Sequence, residues 1–281
     1  MNILLLGATG YLGSNIAHCL SNERYHVVCV VRGTSDINRL KQMGVELISN
    51  EPDMLELTLK CRPFDWIING VCTYKKNTTL YGDMLESNVM FPLSVLNLAA
   101  KYGVKNYMTI GTGLPDQFTP YSFTKHRFSD FGKYLSITEG INFADLYLEM
   151  FYGGLFEPEN RFLNSCKHSL RGNRDISLTE GYQKRDIIRV EDVVSIIMEL
   201  IRQDYVQGYR LLPVGSGENH SIREIMSFMK CNLQSSGKLM YGNTPGRTEE
   251  PDTLADIGWY KEIAYRLKFT YWEGLKAYTT E

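Results

Sequence analysis

A glycine-rich turn near the N-terminus constrains this chain more than any other feature. Gly7, Gly10 and Gly13 follow the apolar run 3–6 and precede helix-forming residues at 14–20. A buried strand that breaks at a glycine and leads into a helix is typical of the first βα unit of a dinucleotide-binding sheet. Gly7 allows a sharp turn, Gly10 keeps a Cβ away from a pyrophosphate, and Gly13 allows the helix to pack closely on the strand. The motif predicts a bound dinucleotide, although a turn without a ligand would have a similar pattern.

A second apolar run, 27–31, ends at Arg32 and is followed by Thr34 and Ser35. In a dinucleotide-binding sheet this strand end meets the adenosine ribose, and an acidic residue there would favour NAD. A guanidinium and two hydroxyl groups instead suit a 2′-phosphate through charge-assisted hydrogen bonds. We therefore expect NADP rather than NAD, with a solvated loop arginine as the alternative interpretation of Arg32.

Short apolar runs alternate with segments of helical spacing along much of the chain. This alternation predicts an α/β fold with a doubly wound parallel sheet. Thr119 and Pro120 are suited to begin one of these helices, and Gly103 to end another. The further predicted strands are 45–49, 66–68, 107–110 and 187–190, and the predicted helices are 53–61, 85–100, 120–137 and 193–202.

Size and charge exclude several classes of partner. The chain has 281 residues, 43% of them hydrophobic, and a formal net charge of −2. This gives no electrostatic basis for binding nucleic acid or an anionic membrane. No apolar run approaches the ~18 residues that span a bilayer, and no signal-peptide pattern precedes the first strand. We expect a cytoplasmic protein with reduced cysteines and no metal site.

Tyr121 and Lys125 lie four residues apart on the first turn of the predicted helix 120–137, and therefore on one face. An ammonium beside a phenol lowers the phenol pKa from about 10, and a tyrosine so placed can exchange a proton with a carbonyl or an alcohol. The spacing is common by chance. Here, however, the pair follows a strand that ends just before Thr112, in a chain that opens with the glycine turn. This order predicts one site at the carboxyl edge of the sheet.

Ordered motifs over nearly the whole chain resemble the extended short-chain dehydrogenase/reductase family of NAD(P)-dependent sugar-nucleotide epimerases, dehydratases and reductases. The resemblance implies a Rossmann domain with a smaller, discontinuous C-terminal substrate-binding lobe. Leu148-Glu149-x-Phe151-Tyr152-Gly153, the short segment from Thr112 to Tyr121 and Arg247-x-x-Glu250 look most like the CDP-abequose and CDP-paratose synthases. Those enzymes reduce the 4-keto group of a CDP-4-keto-3,6-dideoxyhexose. The other motifs are Gly7 to Gly13, Asn69-Gly70-Val71, Asn88, Tyr121-x-x-x-Lys125, Gln183 to Asp186, Glu191-Asp192-Val193, Val214 to Gly217 and Asp256 to Trp259.

By this resemblance, Thr112, Tyr121 and Lys125 are the catalytic residues. Tyr121 would protonate the C4 oxygen of the sugar while the nicotinamide delivers a hydride to C4. Lys125 would lower the phenol pKa and bind the nicotinamide ribose, and Thr112 would hydrogen-bond the same oxygen. The residues that would bind NADPH are Gly7, Thr9, Gly10, Tyr11, Leu12, Gly13, Arg32, Asn69, Gly70, Val71, Asn88, Tyr121 and Lys125.

The residues around Thr112 also bear on the type of reaction. In the 4,6-dehydratases of this family, Asp-Glu follows the catalytic threonine and supplies the acid and base that eliminate water. Here Gly113 and Leu114 follow Thr112, so dehydration has no evident agent. The segment from Thr112 to Tyr121 is shorter than in most of the family, which would open the site or change its lid. Gly111 replaces the common serine, and we expect little consequence from that change.

The irregular, glycine-rich segments 155–186 and 215–281 would form the substrate-binding lobe, beside an NADP-binding Rossmann domain at 1–154 that also receives about 187–214. In the enzymes that the chain resembles, arginines at the positions of Arg185 and Arg247 bind the nucleotide diphosphate, which bidentate guanidinium contacts suit. The alternatives are that Arg185 pairs with Asp186, and that Arg247 pairs with one of the two glutamates that follow it.

Three further residues are candidates for contacts with the sugar: Tyr74 and Lys75 after the fourth strand, and Glu149 beside the sixth. A solvated loop and a buried hydrogen-bonding acid are the alternative interpretations. Phe162 and Tyr182 could stack on the nucleotide base, or pack in the core.

We expect an NADPH-dependent 4-ketoreductase of a CDP-linked 4-keto-3,6-dideoxyhexose that makes a precursor of surface polysaccharide, the O-antigen. The alternatives are a 4-epimerase with tightly bound NAD(P) and, more remotely, a non-catalytic NADPH-sensing regulator. The sequence does not distinguish abequose from paratose as the product, nor establish the base as cytosine. Homodimers formed through the helices after Leu85 and Pro120 are common in the family that the chain resembles, and we expect one here.

Overall fold

A computed structural model describes residues 1–74, 80–246 and 250–281 of the chain. The strands are β1 (Asn2–Leu6), β2 (His26–Val31), β3 (Glu46–Ser49), β4 (Trp66–Asn69), β5 (Asn106–Ile110), β6 (Asn142–Leu148), β7 (Met150–Tyr152), β8 (Ile176–Ser177), β9 (Lys184–Arg189), β10 (Tyr209–Val214), β11 (Asn219–Ser221) and β12 (Leu239–Met240). The α-helices are α1 (Tyr11–Asn22), α2 (Asn38–Lys41), α3 (Pro52–Cys61), α4 (Tyr81–Leu85), α5 (Phe91–Lys101), α6 (Pro120–Glu139), α7 (Phe162–Arg171), α8 (Val190–Arg202), α9 (Ile222–Asn232) and α10 (Tyr271–Thr280). A π-helical turn spans Glu86–Met90 and a 3₁₀ helix spans Gly258–Lys261.

The largest sheet has seven strands in the order β10-β6-β5-β4-β1-β2-β3. The pairs β1–β2, β1–β4, β2–β3, β4–β5 and β5–β6 are parallel. β1 is a continuous apolar run because both faces of a parallel sheet are covered, and its residues 3–6 are all fully buried. The order reverses at β1, where a ligand is expected outside the carboxyl ends of the strands. The predicted doubly wound Rossmann architecture is therefore confirmed.

The chain forms two compact units. The first comprises Met1–Tyr147 and Val194–Leu212, and the second comprises Leu148–Val193 and Pro213–Glu281. In the first unit, side chains from the parallel strands pack with α3, α5 and α6. The second unit has a core of its own around α7, α9 and α10, with a three-stranded sheet β11-β9-β7 and a two-stranded sheet β12-β8. A role of the second unit in binding substrate stays a prediction.

Local sequence explains the start of α6. The side chain of Thr119 accepts a hydrogen bond from the backbone N–H of Ser122, the Ser122 hydroxyl returns a contact to the backbone of Thr119, and Pro120 occupies the first helical position. This reciprocal cap satisfies donors that a helix terminus leaves without intrahelical partners. The predicted N-terminus of the helix is confirmed.

The segment predicted as one helix over 85–100 is divided instead. α4 ends at Leu85, the π-helical turn follows, and α5 begins at Phe91. Pro92 explains the interruption. Proline has no N–H to donate to the carbonyl of residue 88, and its ring clashes with that carbonyl inside a regular α-helix. Among the described residues, no helix is long and apolar enough to cross a membrane.

Candidate active site

The glycine turn between β1 and α1 has the shape that a bound pyrophosphate requires. Gly7 has a φ of +75°, and a Cβ at this position would lie 2.7 Å from the carbonyl carbon of Gly70. A Cβ at Gly13 would overlap the carbonyl oxygen of Gly7, so close contact between helix and strand depends on glycine there. Gly10 is the N-cap residue of α1 and has no side chain with which to cap it. The first N–H groups of α1 and the helix dipole are thus suited to an anion.

The other residues predicted in this turn lie at the same helix terminus. Thr9 precedes the N-cap, and Tyr11 and Leu12 are the first two residues of α1. The hydroxyl of Ser14, on α1, donates to the carbonyl of Ala8 at 3.0 Å, and this hydrogen bond stabilises the turn. A turn with these residues at a helix N-terminus fits a dinucleotide.

The end of β4 lies against this turn and is held by its own side chain. Asn69 is fully buried, donates from Nδ2 to the hydroxyl of Thr109 at 3.1 Å and accepts from the backbone N–H of Val71 at 3.1 Å. The backbone N–H of Gly70 donates to the carbonyl of Leu6 at 2.9 Å. The predicted cofactor residues at 69–71 therefore lie at the carboxyl edge of the sheet, next to the end of β1.

Asn88 connects the loop after β4 to α6. It is 1% exposed, accepts from the backbone N–H of Thr73 at 2.8 Å, and donates to the Thr73 carbonyl and the Thr124 hydroxyl, both at 3.0 Å. Thr124 stands directly before Lys125 on α6. Asn88 thus connects the backbone of the loop after β4 to the side chain that precedes Lys125 on α6. Sequence reasoning missed both threonines, since no local pattern marks partners 15 and 36 residues away.

Thr112, after β5, lies beside Tyr121 at the start of α6, and Lys125 follows one turn later on that helix. The hydroxyl of Thr112 is within hydrogen-bonding reach of the Tyr121 phenol and lowers its pKa. It also accepts from the backbone N–H of Leu114 at 3.2 Å. Lys125 is 3% exposed and donates from Nζ to the carbonyl of Val71 at 3.4 Å. The lysine thereby connects the phenol's helix to the loop that carries predicted cofactor residues.

The electrostatic balance at Tyr121 differs from the sequence expectation. Burial raises the pKa of Tyr121 well above its ordinary value, Tyr74 and Cys72 add to that rise, and Thr112 opposes it. Burial also lowers the pKa of Lys125. The lowering of the phenol pKa that was expected from the ammonium is wrong for this structure, because the cost of placing charge in a protein interior determines the direction. A phenol that stays protonated suits donation of a proton to a carbonyl oxygen.

Tyr74, a predicted sugar contact, lies beside the candidate acid. The ring centroids of Tyr74 and Tyr121 are 4.5 Å apart, with the planes tilted by 33°. This places a second aromatic ring next to the phenol. Two other predicted substrate contacts, Lys75 and Arg247, lie outside the described residues.

Arg32 follows the last residue of β2 and is exposed. Its backbone carbonyl accepts from the N–H of Ser35 at 2.9 Å, which forms the turn after the strand. The side chain stands at the position predicted for the adenosine ribose. An exposed arginine is equally what the solvated-loop alternative requires, so its contact with a 2′-phosphate stays a prediction.

Arg185, in the second unit, has partners that the sequence did not indicate. Its guanidinium contacts Glu250 and the carbonyl of Pro251, whereas Asp186 accepts instead from Ser216 and the backbone N–H groups of Gly217 and Ala255. The alternative pairing of Arg185 with Asp186 was therefore wrong. No local pattern indicated this pairing, since Arg185 and Glu250 are 65 positions apart.

The remaining predicted substrate residues also lie in the second unit. Glu149 is 9% exposed, and burial raises its pKa to about 7, with Thr253 opposing the rise. Phe162 begins α7 and is 38% exposed, and Tyr182 is 68% exposed with the Arg223 guanidinium 4.4 Å from its ring centroid. The core-packing alternative is wrong for both aromatic residues, and their stacking on a base stays a prediction.

Known proteins resemble this chain over nearly its whole length. The CDP-abequose synthase of Salmonella muenchen is 23% identical over 98% of this chain and 95% of its own length. That of Salmonella typhimurium is 24% identical over 98% and 96%. The crystal structure of UDP-glucose 4-epimerase from Thermotoga maritima, solved with UDP-glucose, superposes with a TM-score of 0.88 at 18% identity, covering 100% of this chain and 98% of that one.

The model of one family matches three quarters of the chain, including the glycine turn and the candidate catalytic residues. The match covers residues 3–215. It confirms the resemblance drawn from the ordered motifs. The chain belongs to the NAD dependent epimerase/dehydratase family.

Proposed function

We propose that this protein is an NADPH-dependent 4-ketoreductase of a CDP-linked 4-keto-3,6-dideoxyhexose that makes CDP-abequose or CDP-paratose for O-antigen synthesis. The observation that carries the proposal is the Thr112, Tyr121 and Lys125 cluster beside a glycine turn suited to a dinucleotide. The residues after Thr112 are Gly113 and Leu114, so the elimination chemistry of a dehydratase lacks its two carboxylates. Reduction needs only an acid and a hydride source, which such a site can supply.

Each side chain has a defined task in this proposal. Tyr121 donates its proton to the C4 oxygen of the sugar, and its raised pKa keeps it protonated until the oxygen becomes basic. Thr112 donates a hydrogen bond to the same oxygen and stabilises the charge that develops there. Lys125 binds the nicotinamide ribose and stabilises the phenolate left after proton transfer. NADPH, when bound, supplies the hydride that reduces C4.

The choice of substrate rests on the relatives. Two CDP-abequose synthases align with nearly the full length of this chain, and the motifs around Glu149 and Glu250 resemble the same group. We propose that the second unit binds the CDP-sugar, with Arg185, Arg247, Glu149 and Phe162 in contact with it. Arg32 supports the choice of NADPH, since a guanidinium suits a 2′-phosphate.

The decisive experiment is incubation of the purified protein with CDP-4-keto-3,6-dideoxyglucose and NADPH. We expect stoichiometric loss of NADPH absorbance and a CDP-3,6-dideoxyhexose product, whose C4 configuration NMR assigns. The same residues would serve a 4-epimerase. Such an enzyme would release the 4-epimer of its substrate without net consumption of NADPH, and it would retain NAD(P) through purification. A protein that binds NADPH and turns over neither type of substrate would support the regulator instead.

We also propose a homodimer formed through α4, the π-helical turn and α6. These elements contact one another. They carry the large exposed apolar side chains Tyr81, Leu85, Met90, Phe123 and Phe131, which are 41% to 61% exposed. Large apolar side chains grouped on a monomer surface are typical of protein interfaces.

A further inference from the structure

The candidate catalytic Thr112 lies in a loop rather than in a regular element. Residues 111–119 connect β5 to α6, and this connection, which is described throughout, forms neither helix nor strand. A loop depends on individual contacts with the rigid elements around it to place a side chain. Specific hydrogen bonds must therefore orient the hydroxyl of Thr112 if that group acts on a substrate oxygen.

Leu114, two residues after Thr112, is held at both of its main-chain polar groups. Its N–H donates to the hydroxyl of Thr112 at 3.2 Å, and its carbonyl lies 2.9 Å from Nε2 of His126. Because a carbonyl oxygen only accepts, Nε2 carries the proton in this contact. His126 stands on α6, directly after Lys125. A continuous hydrogen-bonded path thus connects α6 to the threonine hydroxyl through one residue.

The other nitrogen of the His126 ring is also fixed. Nδ1 lies 3.0 Å from the hydroxyl of Tyr147, whose ring meets the imidazole edge-on at a centroid distance of 5.2 Å. A neutral ring would accept from that hydroxyl at Nδ1, and a charged ring would donate to it. Nε2 donates to Leu114 in both states. The contact that reaches the loop is therefore independent of the charge on His126.

The N–H of Leu114 restricts where the Thr112 hydroxyl directs its proton. A hydroxyl has one O–H donor and two lone pairs, and here the N–H occupies a lone pair. The O–H must then point away from Leu114. Thr112 is 5% exposed, so water has little access to this group. A preorganised donor of this kind is what stabilises charge on a reacting oxygen.

The backbone before Thr112 is fixed as well. The N–H of Gly111 donates to the carbonyl of Leu146 on β6 at 2.8 Å, and a Cβ at Gly111 would overlap Oδ1 of Asp145, a fully buried residue of the same strand. The serine that is common at this position in the family could not stand there while Asp145 keeps its place. The expectation that Gly111 has little consequence is therefore wrong. β6 fixes the chain before Thr112, which leaves the contact of Leu114 with α6 to fix it afterwards.

We propose that His126 is a positioning residue that orients the hydroxyl of Thr112 through the main chain of Leu114. The catalytic consequence rests on the proposed function, in which Thr112 donates to the C4 oxygen, whereas the hydrogen-bonded link does not. Arg127 also contacts this loop through an ion pair with Asp116, but both side chains are more than a third exposed. A surface ion pair contributes little, so the role belongs to His126.

The two nitrogens of His126 allow a matched pair of variants. Glutamine carries its amide nitrogen as many bonds from Cβ as Nε2, so His126→Gln keeps a donor for Leu114. Asparagine places its nitrogen at the position of Nδ1, and His126→Asn loses that donor. We expect His126→Asn to lower kcat about 10- to 100-fold, with KM and the dissociation constant of NADPH changed less than about threefold. His126→Gln should keep kcat within about threefold of wild type, and the control Arg127→Gln within about twofold.

A double-mutant cycle shows whether His126 acts through Thr112. In a Thr112→Val background no hydroxyl is left to orient, so His126→Asn should lower kcat by less than about twofold more. An equal loss in both backgrounds would overturn the proposal. Equal kcat values for His126→Gln and His126→Asn, or a loss in Arg127→Gln as large as that in His126→Asn, would also overturn it.

Hydrogen exchange at the Leu114 amide tests the link without turnover. In the full-length protein, NMR should show this amide exchanging about 3- to 10-fold faster in His126→Asn than in wild type and at nearly the wild-type rate in His126→Gln. The amides of β1 report global unfolding and should exchange alike in all three proteins. An unchanged Leu114 rate in His126→Asn would refute the link. Faster exchange in a protein that reduces no keto sugar would refute the proposed function and leave the link standing.

Discussion

Arg185 Nη2 lies 2.7 Å from Oε2 of Glu250, and its Nη1 lies 2.6 Å from the carbonyl oxygen of Pro251. The guanidinium is 10% exposed, so this ion pair is largely shielded from water. An arginine predicted to bind a diphosphate is thus already satisfied within the protein. A substrate phosphate would have to share this guanidinium with Glu250 or displace the glutamate.

Replacement of Arg185 separates a binding role from a structural one. If the guanidinium contacts the diphosphate, Arg185→Ala should raise KM for the CDP-sugar about 10- to 100-fold and change kcat little, since a charged hydrogen bond contributes about 1.5–3 kcal/mol. Steady-state kinetics would measure this, with Arg174→Ala, an exposed arginine of the second unit, as the control. An unchanged KM with a lowered melting temperature would make Arg185 only a partner of Glu250.

Removal of the Tyr121 hydroxyl should abolish proton donation. We expect Tyr121→Phe to lower kcat by about 100- to 10,000-fold, the usual contribution of a general acid. The dissociation constant of NADPH, followed by fluorescence, should change less than about threefold, since the ring and Lys125 stay in place. Tyr134→Phe removes a hydroxyl from the same helix at a 64% exposed position and should have wild-type kinetics. A Tyr121→Phe variant with nearly full activity would refute the mechanism.

Arg32 should determine the preference for the phosphorylated cofactor. The Arg32→Ala variant should bind NADPH about 10- to 100-fold more weakly than wild type, because it lacks one charged contact to the 2′-phosphate. Its affinity for NADH should stay the same. Calorimetric titration with both cofactors would measure the two affinities. Lys60→Ala removes one positive charge from the exposed face of α3 and controls for net charge. Equal losses for NADPH and NADH would contradict a contact with the 2′-phosphate.

Ionisation of Asp145 should destabilise the folded protein as pH rises, whereas ionisation of a paired carboxylate stabilises it. Its pKa is raised from 3.8 to about 6, so the folded state disfavours the ionised form, and stability is lost as pH rises from about 4 through 6. We expect Asp145→Asn to be more stable than wild type by ~3 kcal/mol at pH 7 and equal to it near pH 4. Denaturant unfolding at both pH values checks this. A variant that is less stable at pH 7 would show a structural pairing of Asp145 instead.

A charged residue among the exposed apolar side chains should dissociate the proposed dimer. Leu85→Glu and Phe131→Glu would each place a carboxylate in a desolvated interface, which is costly without a partner. Sedimentation or light scattering should show a dimer for wild type and a monomer for both variants. Leu57→Glu, on the exposed side of α3, should remain dimeric. A wild-type monomer at micromolar concentration would remove the basis for this proposal.

Local patterns were sufficient for the fold and for the order of the site along the chain. Apolar runs identify strands because a parallel sheet is buried on both faces. The glycine turn and the Thr119–Pro120 start of α6 follow from backbone chemistry that each residue carries with it. Pro92 could also have predicted the break in helix 85–100, but the apolar spacing continues across it and indicated one helix.

Only the tertiary structure decided the electrostatics of the site. A pKa depends on how deeply a group is buried and on charges far away in sequence. The spacing of Tyr121 and Lys125 therefore predicted one helix face but gave the wrong direction for the shift of the Tyr121 pKa. The pairing of Arg185 with Glu250 joins residues 65 positions apart. The overlap of Gly111 with Asp145 arises because β5 and β6 lie side by side. The sequence thus determined which groups are present, and folding decided which of them meet and in what charge state.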